Sequence, residues 1–344
     1  MPELSAVVGE GLEAPHGVKV CIVGAGAIGS LIGARLAATG RVSVSALARG
    51  ATLQALREHG WRLQGEDGSL IRAPVQASDR AQDLGPQDVV IIAVKGPALS
   101  GIAATLGPLL GPDTLILPAM NGVPWWFCQG WPGFEAGLPS VDPGGAIAGN
   151  LPFERVLGCV VHASSAALEP GWVRHIKGRE LIIGEPGGGV SPRARRLAQW
   201  LQSAGFEVRV SDNVRRDIWF KLWGNLTMNP LSAVTGATVD RILADPLLRR
   251  FCSSAMDEVA QIGGRIGCEI DQSPEDRHAL TARLGAFKTS MLQDVEASKP
   301  LELDAIVAAA RDMAQVLGVQ TPHVDALLGI ARLFARTKGL YPHE

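Results

Sequence analysis

The sequence predicts an α/β protein, in which a Rossmann-type doubly wound sheet domain is followed by an all-α C-terminal domain. First, an apolar run at residues 18–23 leads into a glycine-rich turn at 24–29 and then into a helical pattern at 30–38. Second, apolar strand-like runs and helical segments alternate from there to about residue 210. Third, the apolar spacing beyond residue 211 is helical almost to the end of the chain.

The remaining elements are predicted from short apolar runs and from the residues that interrupt them. Runs at residues 42–47, 88–94 and 114–118 are largely apolar, which is typical of parallel strands covered on both faces. A helix is predicted near residues 52–59. Further strands of the same sheet, some of them antiparallel, are predicted at residues 156–162, 172–176, 180–183 and 207–210. The later helices are predicted at residues 246–266, 274–293 and 301–317.

Composition and charge argue against several classes of protein. The 344 residues include 32 Lys and Arg against 34 Asp and Glu, which gives no electrostatic basis for binding nucleic acid or an anionic membrane. No apolar run approaches the roughly 20 residues of a membrane-spanning helix. The five cysteines form no metal-binding cluster, and residues 1–17 have no signal-peptide pattern. We therefore expect a cytoplasmic protein without a metal, in which residues 1–17 are a disordered N-terminal extension.

The glycine turn has the spacing of a dinucleotide-binding loop. It consists of Gly24, Ala25, Gly26, Ala27, Ile28 and Gly29. Its position between a strand and a helix is the context that the motif requires. Gly24 permits a tight turn, Gly26 lets the backbone approach a pyrophosphate at the helix N-terminus, and Gly29 allows the helix to pack closely on the strand. The alternative is a glycine-rich turn that binds nothing, and the strand–helix context favours the dinucleotide.

Residues at the ends of later strands indicate which dinucleotide is bound. Arg49 follows the second strand, where an acidic residue would bind the ribose 2′-hydroxyl of NAD, and a guanidinium instead suits the 2′-phosphate of NADPH. Lys95 and Asn121 follow the strands at 88–94 and 114–118, at the sheet edge where such sheets bind ligands. The alternatives are that Arg49 is a solvated surface residue and that Lys95 and Asn121 are ordinary loop residues.

A polar stripe in the helical half of the chain needs hydrogen-bond partners. Lys221, Asn225 and Asn229 are four residues apart in the otherwise apolar run 219–231, so they would share one face of a helix. Burying an ammonium and two amides is costly unless each is hydrogen-bonded, and a ligand with a carbonyl group could supply such bonds. The alternative is an amphipathic helix whose lysine reaches solvent. Two neighbouring tryptophans, and Asn229 placed before Pro230, argue against that alternative.

Taken together, these motifs resemble those of the ketopantoate reductase family, whose members are NADPH-dependent 2-dehydropantoate 2-reductases. The resemblance extends over residues 18–323 and rests on the glycine turn, Lys95, Asn121-Gly122, the Lys221, Asn225, Asn229, Pro230 series, and Ser290-Met-Leu-Gln-Asp294 followed by Glu302. It implies an NADP-binding Rossmann domain at residues 18–211 and a helical substrate-binding and catalytic domain at 212–344. The active site would lie in the cleft between the two domains.

The resemblance also implies a role for each matching residue. Lys221 is expected to be the general acid that gives its proton to the substrate carbonyl. The substrate-binding positions are expected to be Asn121, Asn225, Asn229, Ser290 and Glu302. Arg49, Lys95 and Asn121 are expected to join the glycine turn in binding NADPH. The resemblance further implies a homodimer that takes a small 2-oxo acid as its substrate.

Two of these positions, and the activity itself, leave alternatives open. Ser290 could be a small helix-packing residue, and Glu302 could be an acid that complements a helix dipole. The chain could also be a non-catalytic NADPH-binding sensor on the same fold. Lys221 argues against a sensor, because a sensor would not need the acid.

One departure from the family pattern concerns the substrate. Trp125 and Trp126 follow the Asn-Gly pair, where pantoate-forming members commonly have a glycine and polar residues. These two bulky side chains are expected to reshape the pocket near the cleft. The predicted activity is therefore the NADPH-dependent reduction of ketopantoate to pantoate, with a different 2-oxo or 3-oxo acid as the alternative substrate.

Overall fold

The computed structural model describes residues 17–343, so the predicted N-terminal extension lies outside the described residues apart from Gly17. The predicted fold class is confirmed, because a parallel sheet with helices is followed by a unit built from helices. Among the described residues, no helix is both long and apolar enough to cross a membrane.

The first sheet is parallel and doubly wound. The strands of the described chain are β1 (Lys19–Val23), β2 (Ser43–Leu47), β3 (Trp61–Gln64), β4 (Leu70–Ala73), β5 (Gln76–Ser78), β6 (Gln87–Ile92), β7 (Leu110–Pro118), β8 (Gly158–Glu169), β9 (Trp172–Gly184) and β10 (Glu207–Ser211). Five of them form this sheet, in the order β5-β2-β1-β6-β7. The winding direction changes between β1 and β6, and sheets of this type bind ligands beyond the carboxyl ends of the strands at that point.

The later strands form a second sheet, so the expectation of one continuous sheet is wrong. Its order is β10-β9-β3-β4, and β8 pairs antiparallel with β9. Residues 172–176 and 180–183 are parts of the single strand β9, and β3 to β5 were not foreseen from the sequence. The first helix of the chain packs against strands of both sheets. The error arose because an apolar run predicts a strand but not the distant strand with which it pairs.

The helices lie between the strands in the first half of the chain and follow one another in the second half. They are α1 (Ala27–Ala38), α2 (Gly50–His59), α3 (Gly96–Ile102), α4 (Pro192–Ser203), α5 (Val214–Thr235), α6 (Val239–Ala244), α7 (Pro246–Arg265), α8 (Pro274–Ala282), α9 (Ser290–Glu296), α10 (Ala309–Leu317) and α11 (Pro322–Thr337). A π-helical turn, Asp304–Ala308, precedes α10.

The structure divides two of the helices predicted from the sequence. The helix predicted at residues 274–293 is interrupted by Gly285, which has a positive φ of 63°. It is restarted by Thr289, whose side chain accepts a hydrogen bond from the backbone N–H of Leu292. The helix predicted at 301–317 begins instead as the π-helical turn. In both segments the helical spacing of apolar residues continues without a break, so the sequence pattern does not reveal where the backbone leaves the α-helical conformation.

Helix α5 carries the polar stripe through the hydrophobic core. The side chain of Asn213 caps its start by accepting a hydrogen bond from the backbone N–H of Arg216 at 3.1 Å, and Gly236 ends it in the left-handed conformation. Trp219 and Trp223 on this helix are fully buried. Because so much of α5 is enclosed by apolar side chains, its polar residues need a polar partner or a cavity.

Candidate active site

The ammonium group of Lys221 joins three parts of the fold. Its Nζ donates to Oδ1 of Asn121 at 2.9 Å and to the backbone carbonyl of Val161 at 2.6 Å. Asn121 lies in the loop after β7 of the parallel sheet, whereas Val161 lies on β8 of the second sheet. A lysine ammonium has three N–H donors, so one donor remains for a ligand.

Burial makes Lys221 more acidic than an ordinary lysine. Desolvation disfavours its charged form and lowers the pKa from 10.5 to about 8, while Cys159 and Glu302 act in the opposite direction. Burial also raises the pKa of the Glu302 carboxyl, and it raises the pKa of the Cys159 thiol to about 12. Cys159 is therefore a neutral neighbour. A lysine with a pKa of about 8 can hold a proton at neutral pH and still release it readily.

A cavity opens beside Lys221, and part of the polar stripe faces it. The lining includes Met120, Gly122, Cys159, Ile218, Lys221 and Asn225. Asn225 therefore shares this space with the ammonium. Asn229 is buried instead, at 5% exposure, and within the described chain its Nδ2 has no hydrogen-bond partner. A buried amide without an acceptor costs free energy, so Asn229 is a position where a ligand could stabilise the protein.

Charged residues also connect the loop after β6 to the helical domain. Nζ of Lys95 forms an ion pair with Oδ1 of Asp294 at 2.6 Å and donates to the carbonyl of Pro300 at 3.0 Å. The backbone N–H of Gly96 donates to Oε1 of Glu302 at 3.2 Å. Lys95 and Glu302, which the sequence suggested for cofactor and substrate, thus each contact the opposite domain.

Two of the sequence expectations do not match the position of the cavity. Ser290 is the first residue of α9, is exposed, and is not among the residues that line the cavity. Trp125 and Trp126 are 3% and 0% exposed, belong to the hydrophobic core and are not among the residues that line the cavity, so their effect on the pocket stays a prediction. The ring of Trp126 packs against Gly158, where a Cβ would lie 2.9 Å from it. Both aromatic side chains are buried by contacts with other apolar side chains of the core.

The glycine turn forms a cradle at the carboxyl end of β1. Gly24 has a φ of +92°, and a Cβ there would lie 2.5 Å from Cγ1 of Val94. A Cβ at Gly29 would overlap the carbonyl oxygen of Gly24, whereas a Cβ at Gly26 would enter open space. Gly26 directly precedes α1, whose first N–H groups have no partner within the helix. The cradle therefore fits an approaching phosphate group.

Arg49 lies beside this cradle. Strands β1 and β2 are parallel neighbours with Val23 opposite Leu47, so the residues after both strands emerge at the same edge of the sheet. The side chain of Arg49 is exposed there, at the residue before α2. An exposed guanidinium beside a phosphate-binding turn is suited to a second phosphate.

A π-helical turn holds the loop that carries Asn121. Gly122 has a φ of +78°, and a Cβ there would lie 2.5 Å from the carbonyl oxygen of Ala305. The backbone N–H of Val123 donates to that same carbonyl at 2.7 Å. Such turns often occur at functional sites, where they redirect backbone groups. Here the redirected carbonyl fixes the loop whose amide oxygen binds Lys221.

Two partners in this arrangement were missed from the sequence. Val161 acts through its backbone carbonyl, so its residue type gave no signal. Asp294 had a signal, because it lies in the Ser290–Asp294 segment, but no role was assigned to it.

A dinucleotide cradle on one domain and a buried acidic ammonium at the boundary with the other define a dinucleotide-dependent oxidoreductase.

Comparison with known proteins identifies the family within this class. The family model for "Ketopantoate reductase PanE/ApbA" matches residues 20–130, and the model for its C-terminal part matches residues 213–335. A 2-dehydropantoate 2-reductase of Mesorhizobium japonicum is 41% identical over 326 residues, which cover 94% of this chain and 100% of that relative. The chain belongs to the ketopantoate reductase family, which confirms the resemblance seen in its motifs.

Solved structures agree with this assignment. A crystal structure from Ralstonia solanacearum MolK2, provisionally described as a ketopantoate reductase, has a TM-score of 0.90 and 54% identity, and the match covers 94% of this chain and 99% of that one. A ternary structure of D-mandelate dehydrogenase with NADH and anilino(oxo)acetate has a TM-score of 0.79 at 22% identity, over 94% and 100% of the two chains. That second likeness establishes the shared fold alone.

Proposed function

We propose that this protein reduces ketopantoate (2-dehydropantoate) to pantoate, with NADPH as the reductant. The observation that carries the proposal is the ammonium of Lys221, which has a lowered pKa, two fixed hydrogen bonds and one donor left for a ligand. Reduction of a carbonyl needs an acid of this kind. Family membership and the 41% identical 2-dehydropantoate 2-reductase support the choice of substrate.

In the proposed reaction Lys221 gives a proton to the carbonyl oxygen of the substrate. The proton that leaves is the one not held by Asn121 or Val161. The neutral amine keeps two N–H groups, which is the number needed for those two hydrogen bonds, so the nitrogen need not move. A fixed donor at the place where negative charge develops lowers the barrier, because no reorganisation is required during the reaction.

The other polar residues would bind and orient the substrate. Asn225 faces the cavity and can donate and accept hydrogen bonds. Asn229 has a buried N–H group without an acceptor. Glu302, whose pKa is raised by burial, is suited to a substrate hydroxyl, and we assign Ser290 to the same set on the family resemblance.

The residues that would hold NADPH fit that cofactor. Gly26 leaves open space in front of the α1 N-terminus for the pyrophosphate, and Arg49 is available for the 2′-phosphate. Lys95 and Asn121, in the loops after β6 and β7, would complete the cofactor side. When bound, the reduced nicotinamide supplies the hydride to the carbonyl carbon.

The proposal extends to the cellular context of the protein. It includes a role in pantothenate biosynthesis, a cytoplasmic location and a homodimer, all on the strength of the family resemblance. It also includes an NADP-binding domain at residues 18–211 and a helical catalytic domain at 212–344. The start of α5 directly after Asn213 supports that boundary.

A panel of oxo acids tests the substrate. With NADPH present, ketopantoate is expected to give the highest kcat/KM of the panel, measured as loss of NADPH absorbance and as formation of pantoate. The panel should include 2-oxo acids with other side chains and at least one 3-oxo acid. Turnover of another oxo acid but not of ketopantoate would reject the pantoate assignment. NADPH binding without turnover of any of them would favour a sensor.

Arg49→Asp tests how the cofactor is recognised. The change should weaken the binding of NADPH by roughly 10- to 100-fold and the binding of NADH by much less. The reason is that a hydrogen bond to a charged group contributes about 1.5–3 kcal/mol. Dissociation constants for both nucleotides, measured by fluorescence titration, check this. Arg41→Asp is a matched control, since Arg41 is exposed just before the opposite end of β2. Equal losses for NADPH and NADH would show that Arg49 does not bind the 2′-phosphate.

A further inference from the structure

Arg277 lies on α8, and its side chain packs against the helix that carries Lys221. Its guanidinium covers the ring of Phe220, with Cζ 5.1 Å from the ring centroid. It also covers Gly224, where a Cβ would lie 2.6 Å from Nε and 2.9 Å from Cζ of Arg277. Glycine is unfavourable inside a helix. The guanidinium therefore occupies the space that a side chain at position 224 would need.

This cation has no balancing anion within residues 17–343. Nε of Arg277 is buried without a hydrogen-bond partner. Burial lowers the pKa of the guanidinium, and no carboxylate acts in the opposite direction. By contrast, Arg193 forms an ion pair with Glu185 at 2.5 Å. A partly buried guanidinium whose Nε has no hydrogen-bond partner is costly, so the arrangement at Arg277 is suited to an anion that comes from outside the chain.

The surroundings of Arg277 connect it to the reacting end of the site. Gly224 follows Lys221 by three residues on α5, and such positions are neighbours on a helix surface. His162 directly follows Val161, whose carbonyl holds Lys221. Desolvation and the positive charges of Lys221, Arg277 and Arg209 lower the pKa of His162 to about 4, against an opposing effect of Asp217. At neutral pH His162 is uncharged, so it adds no charge beside Lys221 and Arg277.

We propose that Arg277 is a specificity-determining residue that binds the carboxylate of the substrate. This inference rests on the proposed reduction of a 2-oxo acid, in which the carboxylate is bonded directly to the carbonyl carbon. A guanidinium forms paired, charge-assisted hydrogen bonds with a carboxylate. The ring of Phe220 covers one face of the guanidinium and leaves the N–H groups at its edge for such bonds. Arg277 thereby distinguishes an oxo acid from a neutral ketone and sets which end of the molecule faces Lys221.

The experiment compares a 2-oxo acid that the wild-type enzyme reduces with the primary amide of the same acid. Arg277→Met keeps an unbranched apolar stem over Phe220 and removes the charge. It should raise KM for the acid about 10- to 100-fold with a small change in kcat, and should leave the constants for the amide nearly unchanged. Gly224→Ala should act in the same direction with Arg277 intact, because the new methyl group displaces the guanidinium. Alanine also favours the helix, so a folding defect is not expected.

Arg283→Met is the matched control, because Arg283 is exposed at the end of the same helix. It should leave KM and kcat unchanged for both the acid and the amide. An equal loss for acid and amide in Arg277→Met, or an unchanged KM for the acid, would overturn the role of Arg277. Wild-type protein that neither reduces a 2-oxo acid nor binds one in the presence of NADP⁺ would instead overturn the proposed function, and this inference with it. Binding is measured by calorimetry.

Discussion

Replacing Lys221 with alanine is expected to lower kcat by about 10²- to 10⁴-fold, the usual contribution of a positioned general acid. The dissociation constant for NADPH should not change, because the phosphate cradle lies on the other domain. Steady-state kinetics and a nucleotide titration check the two halves of this prediction. Lys338→Ala is the control, since Lys338 is exposed at the end of α11. Near-normal turnover in Lys221→Ala would remove the lysine from the proposed reaction.

The pH dependence gives an independent test of Lys221. Only the protonated ammonium can give a proton to the substrate, and burial lowers the pKa of Lys221 from 10.5 to about 8. The proton is therefore present below pH 8 and lost above it. We expect kcat/KM to fall about tenfold per pH unit above that value in the wild-type enzyme. This decline should disappear in Lys221→Ala, and a decline that persists would belong to another group.

Gly122→Val is expected to cost about 2–4 kcal/mol of stability, from a left-handed backbone and a lost backbone hydrogen bond, and to lower kcat as well. A Cβ at Gly122 would lie 2.5 Å from the carbonyl oxygen of Ala305, so the loop must move away from the π-helical turn. Asn121 moves with the loop, and Lys221 then loses its fixed partner. Urea unfolding measures the stability and steady-state kinetics measure kcat.

A matched glycine separates backbone strain from overlap in that variant. Gly130 has a φ of +83°, close to the +78° of Gly122, but nothing lies within 4 Å of a Cβ there. Gly130→Val should therefore show the strain alone and keep normal activity. If Gly122→Val is no more damaging than Gly130→Val, the contact with Ala305 does not hold the active-site loop.

The polar stripe of α5 could be predicted from the sequence because its cause is local. A spacing of four residues places Lys221, Asn225 and Asn229 along one helix whatever the rest of the fold does. The structure has these three residues on α5, with Lys221 and Asn225 at the cavity. The glycine turn was recognisable for the same reason, since a strand, a turn and a helix are consecutive in the chain.

The features that escaped prediction depend on distant parts of the chain. β9 pairs with β3, which lies more than a hundred residues earlier, so an apolar run could not reveal the second sheet. The core packing of Trp125 and Trp126 could not be foreseen, because consecutive aromatic residues do not indicate which side of a loop is covered. Arg277 had one overlooked signal, namely a glycine inside the helix at position 224 that leaves room for a neighbouring group.

In the proposed reaction, the two fixed hydrogen bonds of Lys221 also determine how the acid is reset after each turnover. Once the proton has left, the lone pair of the neutral amine points into the cavity, because Asn121 and Val161 occupy the other two directions. The next proton must therefore arrive from the space that the product has just vacated. Product departure and reprotonation of Lys221 share one route, so water that enters behind the product can return the proton to the acid.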